Sequence, residues 1–243
     1  MTKIKNYFTN KIVLKALLAI FLYYLIFEGL GALVSYIINI SFSKEFIDNN
    51  LYPLNLALQY IVYLPIITAI FILFRKDLVA DFKDVLDKSY HFSKNTITGL
   101  LIMYGVNVVA SFLVTIIGIT GTSENQESIE CLLMFSWYAP ILFTPLICFF
   151  GPLVEEVIFR KCFRNVILND YLFIGLSTFL FGFMHLITTP GSFGYKLGMA
   201  IPYFASGFTF SFLYVKNGRN IVIPTICHVL NNTLATIFIL ILR

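Results

Sequence analysis

The chain has 243 residues, of which 58% are hydrophobic and 12% charged, with a formal net charge of +4. Soluble domains run at roughly 45–50% apolar and about 25% charged residues, so this chain has too little polar surface to cover a soluble body. Disorder, a coiled coil, a disulfide-stapled scaffold and a nucleic-acid-binding module are excluded, and an all-α, polytopic integral membrane protein remains.

A helix that crosses a bilayer needs about 20 apolar residues. In chain order, the runs that meet this length are 12–40, 53–74, 95–119, 138–166, 171–188, 196–216 and 221–242, which predicts seven spans. The first follows lysines, as a signal peptide would, but it is too long and lacks a small-residue cleavage site, so it reads as a retained anchor. Between the runs lie turn-like breaks: SFSKEFIDNN at 41–50, GTSENQESIE before 131, NDY at 169–171, TTPGSFG at 188–194 and NGRN at 217–220. Segment 75–94, with mixed charges and spaced apolar residues, is expected to lie along the inner membrane surface. Cys131, Cys148, Cys162 and Cys227 form no CxxC pair and mostly sit in apolar runs, so they read as packing residues. With no internal repeat and no linker, residues 1–243 are expected to form a single transmembrane domain.

The cations test the topology. An amino terminus inside and a carboxyl terminus outside puts Lys3, Lys5, Lys11, Lys15, Arg75, Lys76, Lys83, Lys88, Lys94, Arg160, Lys161, Arg164, Lys216 and Arg219 on the cytoplasmic side. Only Lys44, Lys196 and Arg243 are left outside. That asymmetry is the one the positive-inside rule requires.

An ionisable side chain in hydrocarbon costs about 2.5–3.5 kcal/mol or more, so those that occur face inward and mark function. Here they are Glu28, Glu155, Glu156, Arg160, His185 and His228, joined by the neutral Asn107 and Asn232. Glu155 and His185 stand about 15 residues on either side of the 169–171 turn. At about 1.5 Å of rise per residue they share a depth on neighbouring helices. His228 and Asn232 share a helix face, as do Phe181 and His185, and Glu156 with Arg160 forms an acid-first i,i+4 ion pair. Gly151-Pro152 should bend the fourth span, freeing backbone groups that need protein or a wet cavity beside them.

A carboxylate in a poorly hydrated site is suited to general-base work. Glu155 is expected to deprotonate a water oriented by His185, while His228 and Asn232 donate to the developing oxyanion. Glu156 and Arg160 support the helix. Another reading of the same residues makes Glu155, His185 and His228 three zinc ligands with an open fourth position, although HExxH is absent. Asn232 also reads as a helix–helix hydrogen-bonding residue, and His185 as a core histidine bonded to a backbone carbonyl. Glu28 is left between the cavity and a polar neighbour, and His91 reads as a surface residue.

EEVIFR (Glu155, Glu156, Arg160) fits an EExxxR motif, FGFMH (Phe181, His185) fits FxxxH, and HVLNN (His228, Asn232) fits HxxxN. In this order, each on its own apolar helix, they resemble the CPBP family, the CAAX prenyl and bacteriocin-processing intramembrane proteases also called Abi proteins. The resemblance covers roughly 124–242, leaving 1–120 as accessory spans. It departs at Lys161, where family members often carry Gly. It implies an intramembrane endopeptidase with Glu155, Glu156, Arg160, His185, His228 and Asn232 at a cavity open to the cytoplasmic side. No cofactor is required on the glutamate-type mechanism argued for the family; zinc enters on the metallo-type one. The implied partners are a membrane peptide or protein substrate and the bilayer, with no nucleic acid. The implied substrates are bacteriocin, signalling or leader peptides or CaaX-like tails, and a compact chain rich in Lys, Asn, Ile and Phe points to a bacterial plasma membrane as the setting. A non-catalytic immunity or regulatory protein using the same cavity is the alternative. A rhomboid GxSG is missing (the nearest run is FASG at 204–207), as is GxGD.

Overall fold

The computed structural model describes residues 10–87, 89–187 and 189–242, without the side chains of 89–91. Lys3, Lys5, Lys88, Arg243 and the His91 side chain, all used above, lie outside the described residues. The helices are α1 (Lys11–Ser41), α2 (Lys44–Asn49), α3 (Leu51–Asp87), α4 (Ser89–Ile116), α5 (Glu124–Met134), α6 (Ala139–Val166), α7 (Asp170–Ile187), α8 (Phe193–Lys216) and α9 (Val222–Ile241). Among the described residues, seven helices are long and apolar enough to cross a membrane, namely α1, α3, α4 and α6 to α9. The all-α polytopic reading holds, with every span close to its expected run except α3, which continues past 74 to Asp87.

Two expectations change. Segment 75–94 is not a separate interfacial element: α3 runs unbroken through Asp87 and α4 begins at Ser89. The spaced apolar residues there are the continuing faces of two long helices. The break before residue 131 is not simply a loop, because α5 starts at Glu124. Ser123 caps it, its Oγ accepting from the Gln126 amide at 3.2 Å, and the Ser-x-x-Gln spacing is a helix-start signature.

One end of the bundle is a charged belt. Lys15 pairs with Asp77, Lys161 Nζ lies 2.5 Å from Asp81, and Arg164 and Arg219 both reach Asp170. Asn220 Nδ2 donates to the Asp81 carbonyl at 2.8 Å, and Asn95 Nδ2 to Asn217 Oδ1 at 2.7 Å. These contacts hold the ends of α3, α6 and α8 level with the starts of α1, α4, α7 and α9. The α8–α9 turn closes as a Schellman motif: Arg219 N–H reaches the Tyr214 carbonyl and Gly218 N–H the Val215 carbonyl. Gly218 supplies the positive φ of 67° this needs. At the other end sit α2, α5 and the 189–192 turn; Tyr203 Oη bonds Ser123 Oγ at 2.6 Å and Tyr60 Oη donates to the Leu142 carbonyl at 2.5 Å.

Burial is uneven. Half of the most apolar window of α6 and of α8 is buried, against 11% in α1. Phe159, Phe173 and Phe181 form the centre with Tyr23, Ile66 and Phe74 from α1 and α3. Exposed Ile72, Leu101, Phe112 and Ile241 face outward, as a lipid-bathed surface should. Hydrocarbon gives helices no hydrophobic reason to associate, so close approach by small residues and buried hydrogen bonds must hold them. Gly207 is one such point: a Cβ there would come within 3.3 Å of Thr178 Cα and 3.1 Å of the Phe181 ring.

Candidate active site

Helix α6 is not one regular helix. It has two π-helical stretches, Leu146–Phe150 and Val157–Cys162, which flank the short α-helical turn Gly151–Glu156 carrying both glutamates. A π turn inserts an extra residue and rotates everything after it, and such turns concentrate at functional sites. The bend expected at Gly151-Pro152 takes this form. In the first stretch the Gly151 N–H bonds the Leu146 carbonyl five residues back. The next donor in that pattern would be residue 152, but proline has no N–H, so the Ile147 carbonyl loses its partner. Asn232 Nδ2 of α9 takes that place at 2.9 Å. Gly151 is needed for close packing: a Cβ there would sit 3.1 Å from the Leu146 carbonyl oxygen and 3.6 Å from Tyr63 Oη.

The second π stretch is satisfied the same way. Ser177 Oγ of α7 donates to the Phe159 carbonyl at 2.7 Å, and Ser211 Oγ of α8 lies 3.0 Å from Ser177 Oγ and 2.8 Å from the Gly207 carbonyl. This buried hydroxyl chain was missed in the sequence, although Gly207 and Ser211 stand four apart, the spacing of a small-residue interface.

Glu156 and Arg160 are completely buried. Arg160 Nε lies 3.2 Å from Glu156 Oε2, an ionic contact rather than an aligned hydrogen bond. The guanidinium donates from Nη2 to the Gly207 carbonyl at 3.2 Å and lies 4.7 Å from the Phe181 ring centre and 5.5 Å from that of Phe210. The other oxygen of Glu156 is 3.0 Å from His228 Nδ1, and the His228 ring stacks on Phe210 at 4.5 Å. Behind the cavity, then, stands a chain Arg160–Glu156–His228. Taking these charges out of water is costly, and only mutual pairing makes it tolerable.

With Nδ1–H given to Glu156, His228 presents Nε2 to Glu155, whose Oε2 is 3.7 Å away and whose side chain is 21% exposed. Two acceptors facing each other at that separation require a proton or a water between them. His185 donates from Nδ1 to the Phe181 carbonyl at 2.9 Å, the backbone contact of a core histidine, yet it lines the same cavity as Glu155. Its ring stacks on Tyr203 at 4.2 Å, leaving Nε2 as an acceptor.

The cavity has a volume of about 270 Å³. Glu155, His185, His228 and Asn232 line it, while Glu156 and Arg160 stand behind the wall. Glu28 is exposed on the π turn Leu25–Leu30 of α1 and does not line the cavity; its neighbour Phe27 does. Among the described residues no three His, Cys, Asp or Glu side chains converge closely enough to hold a metal ion, the Glu155, His185 and His228 set included. The four cysteines are unpaired, and Cys148, Cys162 and Cys227 are buried.

Fold and site together define a polytopic helical membrane protein with a carboxylate and two imidazoles around an internal cavity. Residues 137–234, which contain all three motifs, match the family model "Type II CAAX prenyl endopeptidase Rce1-like". The chain is also 30% identical over 138 residues to a Bacillus subtilis (strain 168) protein named "Putative membrane peptidase YdiL". The match covers 56% of this chain and about half, 51%, of that relative. No solved structure matches the chain.

Proposed function

We propose that the protein is an intramembrane endopeptidase, oriented with its amino terminus in the cytoplasm, that hydrolyses a peptide bond in or next to a bacterial plasma membrane. The observation that carries this reading is Glu155 facing His228 across 3.7 Å in a buried cavity, with Glu156 and Arg160 holding the imidazole from behind. The Rce1-like segment and the YdiL likeness support it. Bacteriocin, signalling or leader peptides, or CaaX-like tails, are the substrate classes proposed.

Glu155 takes a proton from a water that also donates to His185 Nε2, and the hydroxide attacks the scissile carbonyl. The oxyanion accepts hydrogen bonds from the second N–H of Asn232, the first being held by Ile147, and from His228 as an imidazolium, whose Nδ1–H stays on Glu156 and whose Nε2–H is the proton required between it and Glu155. Collapse expels the amine, which receives the proton from Glu155. Glu156 and Arg160 position His228 and do not touch substrate.

Comparative peptidomics of membranes carrying wild-type or Glu155→Gln protein at equal levels tests this. General-base catalysis contributes roughly 10²–10⁴-fold, so one or more cleavage products should fall by about that factor. Unchanged products beside an intact immunity or regulatory phenotype would replace the enzyme with a non-catalytic binding protein.

A further inference from the structure

The side of the membrane from which a substrate enters can be read from two features that are independent of each other. The first is charge. Lys15, Lys161, Arg164 and Arg219 lie in the belt that joins the start of α1 to the ends of α3, α6 and α8, and Arg75, Lys76, Lys83, Lys94 and Lys216 lie on the adjoining ends of α3, α4 and α8. Among the described residues the opposite end carries only Lys44 and Lys196, while α5 at that end carries Glu124, Glu127 and Glu130. Cations near span ends mark the cytoplasmic face.

The second feature is the cavity wall. Glu155, Phe181, Phe210 and His228 contribute to it at mid-span depth, and the rest of its lining rises away from the belt, through Gln59 of α3 and Tyr203 of α8 to Gln126 of α5 and Ile239 of α9. No belt residue lines it. Between the cavity and the belt lie Glu156, Arg160, Phe159, Cys162 and Tyr214, all buried. Water and peptide therefore meet Glu155 from the α5 end and are shut out from the belt end.

We infer that the cavity opens away from the cytoplasm, so that its substrate is a polypeptide segment presented at the outer surface of the membrane rather than a cytoplasmic tail. This rests on the protease reading for the word substrate, but not for the direction of access. It reverses the cytoplasmic opening that the family resemblance implies, and of the proposed substrate classes it retains exported peptides and excludes CaaX-like tails. Helix α5, whose Asn125, Gln126 and Ile129 face the cavity, becomes the rim over which the segment passes.

The test uses the full chain carrying Cys131→Ser, so that Cys148, Cys162 and Cys227, all buried, are the remaining native thiols. Glu127→Cys places an exposed thiol on α5, and Lys216→Cys one at the belt end. A membrane-impermeant maleimide applied to intact cells should label Glu127→Cys and leave Lys216→Cys unlabelled until the membrane is opened. The reverse pattern overturns the inference and leaves the protease reading standing. Peptide products unaffected by Glu155→Gln would sink the protease reading and leave the direction of access standing.

Discussion

The two halves of the bundle solve the membrane problem differently. Helices α1, α3 and α4 are largely apolar and little buried, with Glu28 exposed and outside the cavity lining. Helices α6 to α9 bury a Glu–Arg pair, His228 and serines among aromatic rings, with His185 and Asn232 half-buried beside them. In the first half almost any apolar side chain of similar size serves. In the second, the site's buried polar groups are held by specific partners, although Arg160 Nη1, Thr178 Oγ1 and Thr233 Oγ1 have no hydrogen bond, and an orphan left in a low-dielectric interior costs far more than a lost van der Waals contact. Polar groups at bilayer depth thus confer geometry at the expense of tolerance, and we propose the N-terminal spans as an accessory wrap around that geometry.

Substitutions can break this contrast, beginning where the effect should be largest. Arg160→Met strands the buried Glu156 carboxylate and should destabilise the protein by about 3–5 kcal/mol, read as a drop in the thermal midpoint in detergent. Adding Glu156→Gln should recover much of that loss without recovering cleavage. A stable Arg160→Met protein would mean that the pair is solvated after all. Asn232→Leu should lower cleavage by roughly 10²–10³-fold through its oxyanion donor, and stability by about 1–3 kcal/mol through the stranded Ile147 carbonyl. Loss of stability alone would assign Asn232 wholly to the helix contact.

Ser177→Ala removes the donor to the Phe159 carbonyl and should cost about 1–3 kcal/mol, with cleavage by the surviving folded protein near normal. At the quiet end, Glu28→Gln should leave both the thermal midpoint and cleavage at wild-type values. A marked loss of cleavage there would draw α1 into the site and blur the difference between the halves.

Hydrophobic length and spacing alone determined seven crossings, a polar cluster in the C-terminal half and the faces on which Glu156–Arg160, Phe181–His185 and His228–Asn232 sit. These are local quantities: the length of an apolar run is matched to bilayer thickness, and the helical repeat assigns residues to a face. The start of α5 was also legible, in Ser123 and Gln126, but lay hidden in a segment read as loop. Only the tertiary structure decided that α6 contains two π stretches, that Asn232 stands in for the donor Pro152 lacks, that Glu155 faces His228 rather than solvent, and that the cavity rises toward α5. Each depends on how far one helix is rotated against another. An apolar pattern barely registers that angle, whereas a hydrogen bond at 3 Å depends on it entirely.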